Sequence, residues 1–514
     1  MAMRVSGINS GLDTEALVKE LVSAYSKKTE KYEKQQTKLS WKQDSWKAMN
    51  TKVYGLYTNI SNLRFSGAYS TKKASSSNTA KATVTATSGA VTGTQKLRVL
   101  SVAQTAYLTG SKMNTKDGSE LSADTTMKQL GFEGEEGTKL KLKTKDENGQ
   151  DVITDIEITE DTKVTDVVDA LKKQGINANF DTKNGRLYLS GKDSGEKYNF
   201  EISTDSEDAE ASQKALEALG LKIDENDEDA AKMIQGTDAK IRLSGVLYTS
   251  SNNNFSINGL NIIAQGVTGD TEDNEITLTV ANDSQAIYDK IKDFLTEYNE
   301  VINEMTKAYN AKSSGDYEPL TDEEKDALSD TEVEKWETKI KDALLRRDTT
   351  LNSVMSAMQT AMATGVKVGD KTYSLSSFGI HTLGFLNAAE NEQNAYHIDG
   401  DEDDSNTSGN KDKLMDAIVN DPDSVVEFMK GLTTNLYKAI DEKMKSTSLS
   451  SAYTIYNDKE LTKQYDNLTK TISQWEKRVS EKEDFYYKKF SAMESALAKL
   501  NSQQSSMSGL FGIN

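Results

Sequence analysis

Residues 13–63 read DTEALVKELVSAYSKKTEKYEKQQTKLSWKQDSWKAMNTKVYGLYTNISNL, and the spacing of their apolar side chains governs the expected architecture. Asp13 is a helix cap and Glu15 a first-turn acid. Apolar residues then recur at Val18, Leu21, Tyr25, Tyr32, Leu39, Trp46, Met49, Val53, Leu56, Ile60 and Leu63. Positions 18, 25, 32, 39, 46, 53 and 60 form one heptad set, and in the other only Lys28, Gln35 and Lys42 are polar. A repeat of this kind predicts one long helix with a coiled-coil seam.

The same register returns near the other end at Leu461, Tyr465, Leu468, Ile472, Trp475 and Val479, then Tyr486, Met493, Ala496 and Leu500, broken by Lys482 and Lys489. Two seams of similar length predict that the chain doubles back and pairs with itself; two separate self-associating coils are the alternative. A third helix is expected from Asn282-Asp283-Ser284 through Ile287, Ile291, Phe294, Tyr298, Val301 and Met305. A fourth, over 331–363, carries Val333, Trp336, Ile340, Leu344, Leu351, Val354 and Met358.

Between the first and third helices the period falls to two, in Thr83–Thr85, Lys96–Val99, Lys139–Leu142, Asp155–Ile158, Arg186–Leu189 and Ile276–Val280. Asn184-Gly185, between Phe180 and Leu187, signals a two-residue hairpin. Val164, Val167, Val168 and Leu171 place one short helix on these strands. Ten acids in 205–229 mark a solvated border. The expected class is therefore α+β multidomain, with a helical stalk made from both chain ends and a β-rich head. Its expected parts are an N-terminal tail 1–15, a stalk 16–72 plus 284–501, a β domain 73–108 plus 236–283, an inserted α+β domain 109–235, and a flexible tail 502–514.

Composition narrows the function classes. The chain has 514 residues, 62 basic against 81 acidic, for a net charge of −19, which repels a nucleic-acid backbone. The absence of cysteine excludes disulfides and thiol chemistry, and the two histidines, His381 and His397, leave little scope for imidazole chemistry. Two prolines, against about 26 at an average share of ~5%, permit long uninterrupted helices. No apolar run approaches a membrane span, and MAMRVSGINSGL has no apolar signal core, so any export is expected to use another route.

Chemical motifs are sparse. Asp399, Asp401 and Asp403 alternate like the first calcium ligands of a loop, but Asp404 stands where glycine is needed and Asn410 where the bidentate acid belongs. Gly191-Lys192-Asp193-Ser194-Gly195-Glu196-Lys197 has the wrong spacing for a phosphate loop and reads as a turn. No G-x-S-x-G, H-E-x-x-H or G-x-G-x-x-G occurs. The expectation is a non-enzyme without cofactor or metal.

Longer stretches resemble the flagellar hook-associated protein 2 family, the flagellar filament cap proteins. Ser6 to Val22 (SGINSGLDTEALVKELV) is similar to the family's opening, and Thr94–Val99 with Val102-Ala103-Gln104 to the strand that follows. SGVLYTSSNNNFSINGLNIIA from Ser244, with ITLTVANDSQAIYDKIKDFLTEYNEVINEM from Ile276, resembles the family's strand, Asn-rich turn, strand and helix. LSSFGIHT (375–382), LMDAIVNDPDSVVEFM (414–429) and 490–512 resemble its carboxyl half. Residues 109–235 carry little of it, and Ser26-Lys27-Lys28 stand where the family commonly has proline. The resemblance implies a homo-oligomeric ring at the distal tip of the flagellum, outside the cell, that retains flagellin and guides its polymerisation. It also implies export through the flagellar type III apparatus, with an export chaperone, and contact with hook–filament junction proteins. Phe490, Met493, Leu497, Leu500, Leu510 and Phe511 are the expected filament- or flagellin-contacting residues. A surface adhesin for host glycan or protein, working through 109–235, is the alternative.

Overall fold

The computed structural model describes residues 10–134, 137–205 and 209–511, with side chains to 507. The chain divides into two compact units: one of residues 1–69 with 284–514, the other of residues 70–283. The helical unit opens with α1 (Thr14–Leu63), whose cap is the Asp13 carboxylate accepting from the Ala16 N–H.

The second unit holds fifteen strands and two helices among its described residues. Strands β1 (Lys72–Ser76), β2 (Ala82–Ala86), β3 (Gly93–Ser101) and β4 (Thr105–Thr109) lead into β5 (Lys139–Lys145) and β6 (Asp151–Glu157). Helix α2 (Val164–Lys173), β7 (Asn177–Asp181), β8 (Arg186–Ser194), β9 (Glu201–Thr204) and α3 (Ala209–Ala218) come next. Strands β10 (Lys232–Ile234), β11 (Ala239–Leu243), β12 (Val246–Ser250), β13 (Asn254–Ile257), β14 (Leu260–Ala264) and β15 (Ile276–Asn282) finish it.

Two hydrophobic clusters form here. In one, the sheets β1-β15-β3-β11-β12 and β13-β14-β2 bury alternate residues such as Leu97, Val99, Ile241, Ile262 and Leu278. In the other, β10-β4-β8-β7 and β6-β5-β9 with the two helices bury Leu140, Leu142, Val164, Leu171, Leu187 and Leu189. Strand β4 pairs antiparallel with β10, Thr109 opposite Lys232, so the chain leaves and returns side by side. Asparagine amides fix these crossings. Asn253 accepts from the Ala103 N–H at 2.7 Å and donates to its carbonyl, and Asn199 treats Gly236 in the same way. Each side chain thus satisfies backbone groups that the sheets leave open.

Two expectations are corrected in this unit. The hairpin between β7 and β8 has a four-residue loop, because Asp181 pairs with Arg186; Gly185 takes a left-handed φ of 64° and donates to the Asp181 carbonyl. The acidic stretch 205–229 is more than a solvated border: it contains α3, whose Ala215 and Leu216, with the following Leu219 and Leu221, enter the core. The Gly191–Lys197 segment is the end of β8 and a single turn of 3-10 helix.

The helical unit resumes with α4 (Ser284–Asn310), α5 (Asp322–Asp326), α6 (Asp330–Asp342) and α7 (Thr349–Ala363). Two small ribbons follow, β16 (Val366–Val368) with β17 (Lys371–Tyr373), and β18 (Ile380–His381) with β19 (His397–Ile398), the latter enclosing α8 (Gly384–Asn387). Then come α9 (Lys413–Asn420), α10 (Pro422–Lys443) and α11 (Asp458–Phe511). The expected single helix over 331–363 is thus two helices. Arg347 has a left-handed φ of 51°, and Asp348 starts α7 by accepting from the Thr350 and Leu351 N–H groups. Helix also continues through 502–511, where the sequence reading places a flexible tail; residues 1–9 of the expected N-terminal tail lie outside the described residues.

One core joins α1, α4, α7, α9 and α10 through Val53, Ile60, Ile291, Tyr298, Met358, Leu414 and Phe428. We expect Phe428→Ala to destabilise this unit by about 3–5 kcal/mol in urea unfolding, as a fully buried ring leaves a cavity. The Tyr298 hydroxyl is buried without a hydrogen-bond partner among the described residues. Tyr298→Phe is accordingly expected to raise stability by about 1 kcal/mol; a comparable loss would show that the hydroxyl is satisfied.

Candidate functional site along the long helix pair

The two longest helices, α1 and α11, run antiparallel in contact. Their pairing starts where Trp46 stacks on Tyr456 at 5.3 Å, just before α11, while Asn50 accepts from the Ile455 N–H at 2.9 Å. Farther out, Gln36 donates to the Thr469 hydroxyl at 2.6 Å and Tyr25 lies 6.5 Å from Trp475. Lys28 and Arg478 sit over the Trp475 ring at 4.7 and 4.6 Å, and Lys482 lies over both Tyr25 and Phe485. Ser10 donates to the carboxylate of Glu494, a buried acid that periodicity does not reveal.

Burial along the expected seam falls into two regimes. Trp46, Met49, Val53, Leu56 and Ile60 are buried in the common core, with Leu63 and Leu461 packed against it. Beyond Trp46 only Val18 and Ile472 of the expected residues are buried; Tyr25, Tyr32, Leu39, Tyr465, Leu468, Trp475 and Val479 are half-buried. Leu21 is a correction. It is 44% exposed, while Val22 is buried, because the covered face here follows Thr14, Val18, Val22, Tyr25 and Thr29. Phe490, Met493 and Leu497 are half-buried and Leu500 is exposed. The Leu510 and Phe511 side chains lie outside those described.

Helix α1 as a whole is basic, with nine lysines against five acids. The segment from α5 to the start of α7 meets it with the opposite charge: Lys34 pairs with Glu324 at 2.7 Å and Lys42 with the α7 cap Asp348 at 2.9 Å. Lys341 covers Trp41 at 4.6 Å. Glu33 sits among like charges, and burial, then Glu476, Glu30 and Asp322, push its carboxyl above the usual range.

A second polar cluster holds the loop after β19. Lys292 of α4 donates to Asp401 and Asp403, each at 2.6 Å. Asp399 is buried, accepting from Asn410 at 2.7 Å beside His381 at 2.9 Å, and Asp404 meets His397 at 2.5 Å. Burial alone would raise Asp399 and Asp404, but these hydrogen bonds outweigh it and hold both carboxyls below their ordinary range. The alternating aspartates are thus engaged by protein donors. Among the described residues no group of three or more His, Asp or Glu is placed to hold a metal ion, and no helix is long and apolar enough to cross a membrane. The Lys292 contact spans 109 residues, so no local motif announces it.

These features define an α+β protein of discontinuous build: both chain ends contribute long helices to one unit, and the middle of the chain folds separately as β-sheet. Both ends match one family, described as the flagellar hook-associated protein 2 N-terminus over residues 10–106 and its C-terminus over residues 236–502. The chain belongs to the flagellar hook-associated protein 2 family. It is 24% identical to the flagellar hook-associated protein 2 of Halalkalibacterium halodurans, covering 99% of this chain and all of that one. The Thermotoga maritima protein of the same name is 27% identical over 50% of this chain and 38% of its own. A solved structure of the flagellar cap protein FliD D1-D2-D3 domains from Escherichia coli has 16% identity and a TM-score of 0.48, covering 83% of this chain and 99% of that one.

Two outcomes are expected. Ile472→Glu buries a charge in the outer α1–α11 contact; hydrogen exchange should then lose protection over 14–40 and 465–500 while α4, α7 and α10 keep theirs. Asp399 and Asp404 have depressed folded pKa values, so their stabilisation is complete above the unfolded value of about 3.9 and is lost as pH falls through the folded values. Lys292→Met should lower the urea midpoint at pH 7, and the difference from wild type should shrink below about pH 4, as Asp403, held low by Lys292, takes up its proton.

Proposed function

We propose that the chain caps the distal end of the bacterial flagellar filament as a homo-oligomeric ring that retains exported flagellin and promotes its polymerisation. The observation that carries this reading is the family match at both ends of the chain, the same segments that build the helical unit. The α1–α11 pair acts as a coiled-coil stalk toward the filament, and its half-buried aromatic and apolar residues leave surface for neighbouring subunits and flagellin. The β-rich unit serves as the head. Its partners are further copies of itself, flagellin, the hook–filament junction proteins, and, before export, the type III apparatus and a chaperone. The site of action is extracellular, the role is structural, and no bond is made or broken. A chain without cysteine and with two prolines suits export unfolded, since no disulfide must form outside and few slow isomerisations limit refolding. The adhesin alternative draws no support from the family match.

Deleting the gene tests the reading: flagellin should appear as monomer in the medium and filaments should vanish, with both restored by complementation. Normal filaments would refute it. Removing 502–514 should weaken filament engagement while the ring still assembles; loss of the ring would contradict the division of labour proposed.

A further inference from the structure

A file of four tyrosines runs from the surface of the helical unit into its core. Tyr453, 57% exposed, meets Tyr54 edge-on at 5.9 Å; Tyr54, 39% exposed, lies 6.0 Å from Tyr57. Tyr57 in turn lies 4.4 Å from Tyr437, with the two rings nearly parallel. Their hydroxyls are in contact at 2.6 Å, and Tyr57 donates on to the Asp441 carboxylate at 2.9 Å. Tyr437 is therefore the donor to Tyr57, and the two phenol protons form one relay that ends on a carboxylate. Tyr57 is buried. Burial, then its bonds to Tyr437 and Asp441, push its phenol above the ordinary range, so it holds its proton at neutral pH.

Packing accounts for aromatic contacts as such, but two details go beyond it. Tyr453 has a left-handed φ of 62°, a strained conformation for a tyrosine that glycine adopts freely. The strain is held from both sides, since the Tyr453 N–H donates to the Met444 carbonyl at 2.9 Å and its carbonyl accepts from Asn50 at 3.2 Å. The chain thus presents an aromatic ring at the surface end of the file at a conformational cost. The second detail is chemical. An electron leaves a buried phenol readily only when its proton leaves too, and Asp441 stands where the Tyr57 proton goes. At the inner end Arg64 lies 3.6 Å over the Tyr437 ring and steadies it.

We propose that Tyr57 and Tyr437 are an oxidative cross-linking site: a haem peroxidase with hydrogen peroxide, acting on the exposed Tyr453 and Tyr54 rings, closes a dityrosine bond between α1 and α10. Oxidising equivalents taken up at the surface pass inward along the ring contacts. Each inner ring gives up one electron and its phenol proton. The Tyr57 proton goes to Asp441, and the Tyr437 proton follows along the relay once Asp441 has released the first to solvent. Two phenoxyl radicals result, with spin on the oxygen and on the ring carbons beside it. Those carbons flank the hydroxyl contact. One from each ring joins the other, and the hydrogens they carried move to the oxygens, restoring both phenols. Two tyrosines and one hydrogen peroxide give one dityrosine and two waters. The bond ties residues 380 positions apart in a chain with no cysteine for a disulfide, and it removes freedom from the unfolded state. The inference does not depend on the capping role proposed above.

The purified full chain at low concentration, treated with hydrogen peroxide and a haem peroxidase, tests it; the enzyme is too large to reach a buried ring. Dityrosine fluorescence should appear in a species of single-chain mass less two hydrogens, and peptide mapping should join Tyr57 to Tyr437. Oxidised wild type should unfold at a higher urea concentration than before treatment. Tyr437→Phe, which keeps the ring stack, should abolish both the link and the gain in midpoint. Y54F/Y453F should slow the link several-fold while its midpoint before oxidation stays at the wild-type value, and Asp441→Asn should slow it without sparing the exposed tyrosines. Consumption of Tyr54 and Tyr453 with no link between 57 and 437 would overturn the inference, as would a link that joins only 54 to 453 or only two chains. A link that forms as fast in Y54F/Y453F as in wild type would also overturn it, because the exposed rings would not be the entry.

Discussion

The structure of the helical unit depends on the return of the chain at Asp458 to lie along α1. Neither long helix could persist alone across its outer half, because each offers one narrow apolar strip and a broad charged surface. Near the shared core, Trp46 and Tyr456 lock the start of the pair, and α1 inherits rigidity from α4 and α10. Farther out that support ends. There the contact relies on half-buried aromatics with cations laid over them and on a few hydrogen bonds such as Gln36 to Thr469.

That gradient in burial connects packing to assembly. A seam buried on every side would be complete, and one open throughout would not hold; this pair is secured at one end and half-covered along the other. Basic α1 and the acidic segment from α5 to the start of α7 add attraction that weakens with salt. The like-charge crowding at Glu33 works against them, so the middle of the pair is held by opposing terms of modest size.

Much of this was legible in the sequence where the physics is local. The period of seven over α1 and α11 and the period of two in the strands follow directly from helix and strand geometry, so the mixed helix-and-sheet class could be read before any coordinates. Local capping also explains the failure over 331–363. Apolar spacing runs on through Leu344 to Leu351, whereas Asp348 has the chemistry of a new helix start. A strict heptad puts Leu21 on the seam, but the 3.6-residue period of the helix gives the covered position to Val22. The acids of 205–229 masked the amphipathic α3 through sheer charge density. What no local pattern could give is the long-range pairing: Lys292 with Asp401, Asn253 with Ala103, and Ser10 with Glu494.

The central claim is that the two long helices pair within one chain. Because the chain has no cysteine, Gln36→Cys with Thr469→Cys creates the sole thiol pair, at side chains now in hydrogen-bond contact. Treatment with a short bismaleimide at low protein concentration should give a cross-linked species of single-chain mass with a closed loop, found by peptide mapping to join 36 and 469. If the only cross-link joins two chains, and dilution abolishes it, the helices belong to separate self-associating coils and the account fails.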